Sequence, residues 1–442
     1  MKRSWSRIFA LTMGIPLLLA ILVACGSGTT GGTGGTTPTS GSTTIKIATD
    51  FPVSGKDTSS GKPAENGAHM AVDQANKNHT IPGYTLVFDP KDDVGPNGTH
   101  DPAVGTQNVT SLIGDGLVAG IAGPFNSSVA KAEMPITNQA PIAQISPANT
   151  NPCLTKDTAD SGCNGSNNLI PTLRPTGKVT YFRIATTDDH QGPAGADYLY
   201  KTLHLKRAYV IDDAETYGIG IANTFAKEWT TDGGTLLGHS SEPGTTTSFL
   251  SLLTSIASKN PDVIYFGGVD STGGTLIRQQ MLQVPALKNI PFGGGDGIVT
   301  PSFASTIGLT GGPAFGTVAV VDTTKSASAT AFRSQYDAIY GAANLNVYSA
   351  AAYDCTNILI QAIKTALANG AHTPQNAGDA AGAKAFRQAV INAVQGISYN
   401  GITGHQSFDS NGDTNNRFIS IYKLALNASG KPDWIYQTGV TE

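Results

Sequence analysis

Three kinds of residue in this chain have types and surroundings suited to small-molecule chemistry. Asp296 follows the run Gly293-Gly294-Gly295 and precedes Gly297. A carboxylate on such a loop either caps its own turn or, where water is excluded, pairs with an ammonium group. Ser127 follows the loop Gly123-Pro124-Phe125-Asn126 and opens a stretch of helical periodicity. A hydroxyl there is an ordinary N-cap, or it joins the free N–H groups of the first turn in seating a carboxylate. The cysteines are the third kind. Cys25 ends an apolar run, Cys153 and Cys163 flank a short polar loop, and Cys355 falls in a helical pattern. The middle pair is expected to form a disulfide across its loop, which needs an oxidising compartment. Cys355 reads as a small buried hydrophobe.

Signatures of catalysis are missing from the sequence. There is no GxSxG, no P-loop and no zinc-ligand spacing, and the glycine runs at 267–268 and 293–295 do not fit a GxGxxG opening a helix. The eight histidines are scattered through loops and helices. His190, beside Gln191-Gly192, reads as solvated or hinge-packed rather than as a base. No metal, no cofactor and no enzymatic activity are expected. With a formal charge of -4 the chain lacks a basic footprint for nucleic acid. Hydrophobic residues at 39% against charged residues at 14% supply real cores and exclude a disordered chain.

The N-terminus reads as an address. Lys2, Arg3 and Arg7 precede an apolar stretch from Ile8 to Val23, the layout of a signal peptide. Leu22-Val23-Ala24-Cys25-Gly26 resembles the lipobox of bacterial lipoproteins. The resemblance implies cleavage after residue 24 and diacylation of Cys25, two chains being what stable anchoring takes. Residues 25–43 are nearly all Gly, Ser, Thr and Pro, a flexible tether.

Elements that position the candidates begin near Thr44. Strand patterns at 45–48, 84–88, 120–123 and 141–145 alternate with helical patterns at 65–76, 104–113 and 127–138. The rhythm restarts with helices at 194–203, 219–230 and 249–259 and strands at 207–211, 235–238 and 263–266. Helices at 327–340, 350–369 and 380–394 and a strand at 418–423 follow. Alternating strands and helices imply parallel sheets covered on both faces. Two such runs imply two Rossmann-like α/β lobes, with ligands beyond the carboxyl ends of the strands.

Within that frame several loops resemble those of the leucine/isoleucine/valine-binding proteins, the type I periplasmic binding proteins of branched-chain amino-acid importers. The carrying segments include Pro52-Val53-Ser54-Gly55, the 123–128 loop, Ile145-Ser146-Pro147-Ala148-Asn149-Thr150-Asn151-Pro152, Phe182-Arg183, Gln191-Gly192-Pro193, Glu215-Thr216-Tyr217-Gly218, Tyr265-Phe266-Gly267-Gly268 and the 293–297 loop. Their order from Thr44 to the C-terminus makes the likeness specific. It implies that Ser127, Ala148 (through its backbone) and Thr150 hold a carboxylate, and that Thr150 also meets an ammonium. It implies ligand contacts from Tyr217 and Asp296 and a pocket aromatic in Tyr348. The family usually has glutamate where Asp296 stands, and Ser60 and Val269 stand where it often has aromatics, so the side-chain pocket is expected to differ from that of a leucine binder.

The expected fold is therefore two lobes joined by a three-stranded hinge, 44–185 with 323–408 and 186–322 with 409–442. Hinge crossovers are expected near 184–191, 321–325 and 406–414. The expected role is an extracytoplasmic binding lipoprotein of an ABC importer, with permease subunits as partners. A sensory receptor of the same fold ranks below it, because no transmembrane or signalling segment follows Glu442. A ligand such as an amide or an aromatic acid is the remaining alternative.

Overall fold

The structure is a computed structural model and describes residues 43–323 and 327–441. The signal peptide, Cys25, the tether and part of the expected 321–325 crossover lie outside the described residues.

The first lobe is built on β1 (Thr44–Phe51), β2 (Thr85–Asp92), β3 (Val118–Ala122), β4 (Ala143–Ser146) and β5 (Tyr181–Arg183), interleaved with α1 (Thr58–Lys77), α2 (Pro102–Gly114), α3 (Ser127–Gln139) and the single turn α4 (Ile170–Leu173). The strands are parallel, in the order β2-β1-β3-β4-β5. Every residue of β3 and of β4 is buried, as expected of parallel strands covered on both faces.

Helix α5 (Asp188–Asp197) starts the second lobe. It is followed by β6 (Arg207–Asp212), α6 (Thr216–Thr231), β7 (Thr235–Ser241), α7 (Leu250–Ser258), β8 (Val263–Gly267), α8 (Gly274–Met281), β9 (Phe292–Gly294), α9 (Pro301–Ile307) and β10 (Ala314–Val318). The chain then supplies α10 (Ala327–Tyr340), α11 (Val347–Ala368) and α12 (Ala380–Gln395) to the first lobe. Ile358, Leu359 and Ile363 of α11 share a core with Ile45, Ile47 and Ile145. Arg387 of α12 donates to the carbonyls of Val118 and Asp115 at 2.8 and 2.7 Å. A small hairpin, β11 (Tyr399–Gly401) and β12 (Gly404–Gln406), precedes β13 (Phe418–Leu426) and β14 (Pro432–Thr441). Those last two strands complete a sheet ordered β14-β13-β10-β9-β8-β6-β7, in which β13 runs antiparallel to β10 and β14 antiparallel to β13.

Three connections pass between the lobes side by side. Arg183 forms a parallel bridge with Asp413, Thr186 N–H donates to Ala319 O at 3.0 Å, and Ser420 Oγ donates to Val320 O at 2.8 Å.

Several boundaries differ from the sequence expectation. Helix α1 starts at Thr58, not near Glu65, because Gly61 is helical. A Cβ there would come within 2.1 Å of Pro52 O, so the glycine serves close packing rather than chain reversal. The helix expected at 194–203 runs from Asp188 to Asp197, then widens into a π-turn over 198–202.

Candidate functional site

Ser127, Ala148, Thr150, Tyr217 and Asp296 each follow the carboxyl end of a strand, and Tyr348 stands in the first turn of α11. After β3 the chain turns through Gly123–Asn126 into α3. Asn126, not Ser127, occupies the N-cap position, in extended conformation and with no side-chain capping bond. Ser127 is the first helical residue. Asn126 Oδ1 and Ser127 Oγ are both buried without a partner. The helix therefore presents uncapped N–H groups and an unused hydroxyl, the features of an anion seat.

The loop after β4 is stitched to this one. Ser146 Oγ donates to Pro124 O at 2.7 Å and accepts from the amides of Ala148 and Asn149 at 3.2 and 2.9 Å. Asn149 Nδ2 donates to Phe125 O at 2.6 Å, and Tyr181 OH donates to Asn149 Oδ1 at 2.7 Å. The Ala148 amide, expected to face a carboxylate, is engaged by Ser146 Oγ in this structure. Below, the fully buried Arg183 donates to Asn151 O at 2.7 Å and Asn149 O at 3.2 Å, and its Nε pairs with Asp413 at 2.7 Å. The disulfide Cys153–Cys163 closes the following loop.

From the second lobe, Tyr217 stands in the first turn of α6 and Asp296 in the turn after β9. Asp296 Oδ1 accepts from Tyr217 OH at 3.0 Å and from Gln191 Nε2 at 2.9 Å, and Oδ2 accepts from Tyr348 OH of the first lobe. Gly297 N–H donates to Tyr217 OH at 3.1 Å. The approach requires glycine at 295, where a Cβ would lie 2.3 Å from Tyr217 OH. Tyr348 also packs edge-on to Phe125, ring centroids 4.8 Å apart.

Ser127, Ala148, Tyr217, Asp296 and Tyr348 line one enclosed space of about 30 Å³, together with Ser60, Val269 and Thr300. Contacts between the lobes shut it: Ser59 Oγ to Ser302 Oγ at 2.9 Å, and Asn151 Nδ2 to Thr216 O. Thr150 is not on its wall. It lies behind, 1% exposed, its hydroxyl facing Asp188 without a well-formed hydrogen bond and its carbonyl accepting the Asp188 N–H at 2.8 Å.

Asp188 escaped the sequence reading. Its carboxylate is fully buried and neither oxygen has a partner. Burial, then the charge of Asp296, pushes its pKa well above the ordinary carboxylate value. Burial also raises Asp296, against the three donors that stabilise its charge. Two acids are thus buried on one side, with the Arg183 charge acting on Asp188 from beneath, and no Lys or Arg is among the lining residues.

The fold and this site place the chain in a known class: it belongs to the periplasmic binding protein family, whose model matches residues 44–431. Among its relatives, the Leu/Ile/Val-binding protein BraC3 of Rhizobium johnstonii is 30% identical over 260 residues, 59% of this chain and 63% of that protein, so the match spans just under two thirds of that relative. The Leu/Ile/Val-binding protein homolog 1 of Brucella abortus is 26% identical over 89% of this chain and 94% of its own length. The chain is also similar in fold to the leucine-binding protein LivK of Thermotoga maritima (TM-score 0.71, 22% identity, 90% of this chain and 99% of that one). A solute-binding protein of Rhodopseudomonas palustris, solved with p-hydroxybenzoic acid, is as similar in shape (TM-score 0.71, 18% identity, 90% and 97% coverage).

Proposed function

We propose that this protein is the extracytoplasmic solute-binding component of an ABC importer, and that it captures a small amino-acid-like zwitterion. The observation that carries the reading is the charge around the cavity. Asp296 lines it and Asp188 lies behind it, while the uncapped start of α3 with Ser127 stands on the other wall. An ammonium suits the first feature and a carboxylate the second. The Leu/Ile/Val-binding names of the relatives support the same reading. The lobes, 44–185 with 323–408 and 186–322 with 409–442, part at the three connections to admit the solute. Closing then brings Tyr217 and Asp296 onto a solute held by Ser127 and Ala148, with Thr150 behind them, and permease subunits read the closed form. A ligand drives closure only as far as it binds the closed state better than the open one. Acylated Cys25 would hold the protein at the outer membrane face.

Titration calorimetry with L-leucine and with 4-hydroxybenzoate tests the ligand class. If the ammonium pairs with the acids, Asp296→Ala weakens leucine binding by roughly 2–5 kcal/mol, as does removal of any one partner of a buried charge pair. Asp296→Asn and Asp188→Asn move affinity the same way. Leucine binding untouched by Asp296→Ala overturns the amino-acid reading. Tight binding of 4-hydroxybenzoate that ignores both acids replaces it with an aromatic acid.

A further inference from the structure

Outside the cavity, a chain of hydrogen bonds joins the two lobes along a groove. Ser271, in the turn after β8, donates its hydroxyl to Asp57, in the turn before α1. Asp57 Oδ2 accepts the His100 backbone N–H at 2.8 Å and lies 2.9 Å from His100 Nδ1. His100 Nε2 lies 2.8 Å from Glu215 Oε2, which also accepts from Ser128 OH at 3.0 Å. Asp57, His100 and Ser128 belong to the first lobe, Glu215 and Ser271 to the second.

The imidazole is 2% exposed, and each ring nitrogen faces a carboxylate oxygen. An ionised carboxylate only accepts, and a neutral imidazole has one donor. The arrangement therefore requires the imidazolium, which donates from both nitrogens. The other charged groups around it are mostly acidic. Asp93, fully buried with neither oxygen paired, and Asp213 both act on the ring. Asp101 and Asp270 lie along the groove, with Lys56 as a cation there.

We propose that His100 is a proton-dependent clasp that holds the lobes together over the cleft. Parting the lobes takes Glu215 away from the ring and leaves it only its first-lobe partners, so the closed form binds the proton more tightly than the open form. Burial alone would depress the His100 pKa, but the hydrogen bonds to Asp57 and Glu215 more than reverse this and hold it well above the ordinary value. For a group raised by closure, the stabilisation is complete below the open-state pKa and is lost as pH rises through the closed-state pKa. Acid therefore favours the closed form and alkali the open form. This holds whatever solute the cleft takes.

The test measures energy transfer between dyes on Asn97→Cys and Thr247→Cys, which flank the groove on opposite lobes, in the full chain without added solute. Cys355 is buried, Cys153 is paired with Cys163 and Cys25 is changed to serine, so no native cysteine competes for label. As pH rises from about 5 to about 10, across the range in which a histidine is switched by its surroundings, transfer in the parent is expected to fall in one step. In His100→Gln the step disappears. In Glu215→Gln, which keeps the shape and removes the charge that ties the proton to closure, it shrinks and moves to lower pH, and this variant serves should His100→Gln not fold. A parent that does not respond to pH overturns the clasp. So does a full step surviving in His100→Gln, which would assign the titration to Asp93 or Asp213, or an unmoved midpoint in Glu215→Gln. With no solute present, failure of the amino-acid reading leaves the result unaffected.

Discussion

Asp50 and Glu133 show how the first lobe tolerates buried acid away from the cleft. Both are fully buried, at the end of β1 and in α3. Burial pushes Asp50 up to about 6, and burial with the nearby Asp50 pushes Glu133 well above its ordinary value. For an acid whose folded pKa is raised, stability is fully present below the unfolded pKa and is lost as pH rises through the folded one. Asp50→Asn is thus expected to raise stability at pH 8 by roughly 2–3 kcal/mol, about two pKa units' worth, and the gain should vanish toward pH 4. Thermal melts at the two pH values measure it; an equal effect at both would refute the ionisation argument. Asp188 and Asp50 were equally hard to read in the sequence. Asp188 stands beside Asp189, and nothing in that pair tells which acid is buried without a partner and which meets Lys156 at 2.8 Å. Asp296, Ser127 and Tyr217 could be singled out because glycine loops and strand ends frame them. His100 could not, because its partners at 57 and 215 are distant in sequence.

At the scale of elements, the loop carrying Ala148 on the cavity wall and Thr150 behind it has two supports. Removing the Cys153–Cys163 disulfide, ten residues apart, is expected to cost roughly 2–3 kcal/mol through the entropy of the unfolded chain. Arg183→Met leaves Asp413 buried without its cation and the Asn149 and Asn151 carbonyls without their donor, and is expected to cost about 3–5 kcal/mol. Urea unfolding of Cys153→Ser/Cys163→Ser and of Arg183→Met gives both figures. An Arg183→Met chain as stable as the parent would show that the pair is dispensable. Alternating strands and helices were legible because buried parallel strands are short apolar runs between helical periods. Strands β9 and β10 were not: Phe292-Gly293-Gly294 looks like a turn, and its glycines are instead where Leu199, Tyr265 and Ile298 pack against the strand. The β14 strand was missed because its residues are mostly only half-buried and carry little apolar pattern.

For the molecule as a whole, the reading of Cys25 as its anchor predicts location. Cys25→Ala is expected to move the protein from the membrane fraction to the soluble one or to leave it unprocessed; mass spectrometry of a mature chain retaining residues 1–24 would exclude the anchor. The path of the chain between lobes has a further consequence, for the order of synthesis. The core of the first lobe lacks Ile358, Leu359 and Val390 until α11 and α12 have been made, by which time β6 to β10 of the other lobe already exist. Strand β10 in turn waits for β13 to cover its open side. Neither lobe can close its core while the ribosome is still in the first three quarters of the message, so the two cannot fold one after the other as separate domains commonly do during synthesis. Each lobe of this topology completes its core only once the C-terminal quarter of the chain has been made, so the two lobes finish folding together.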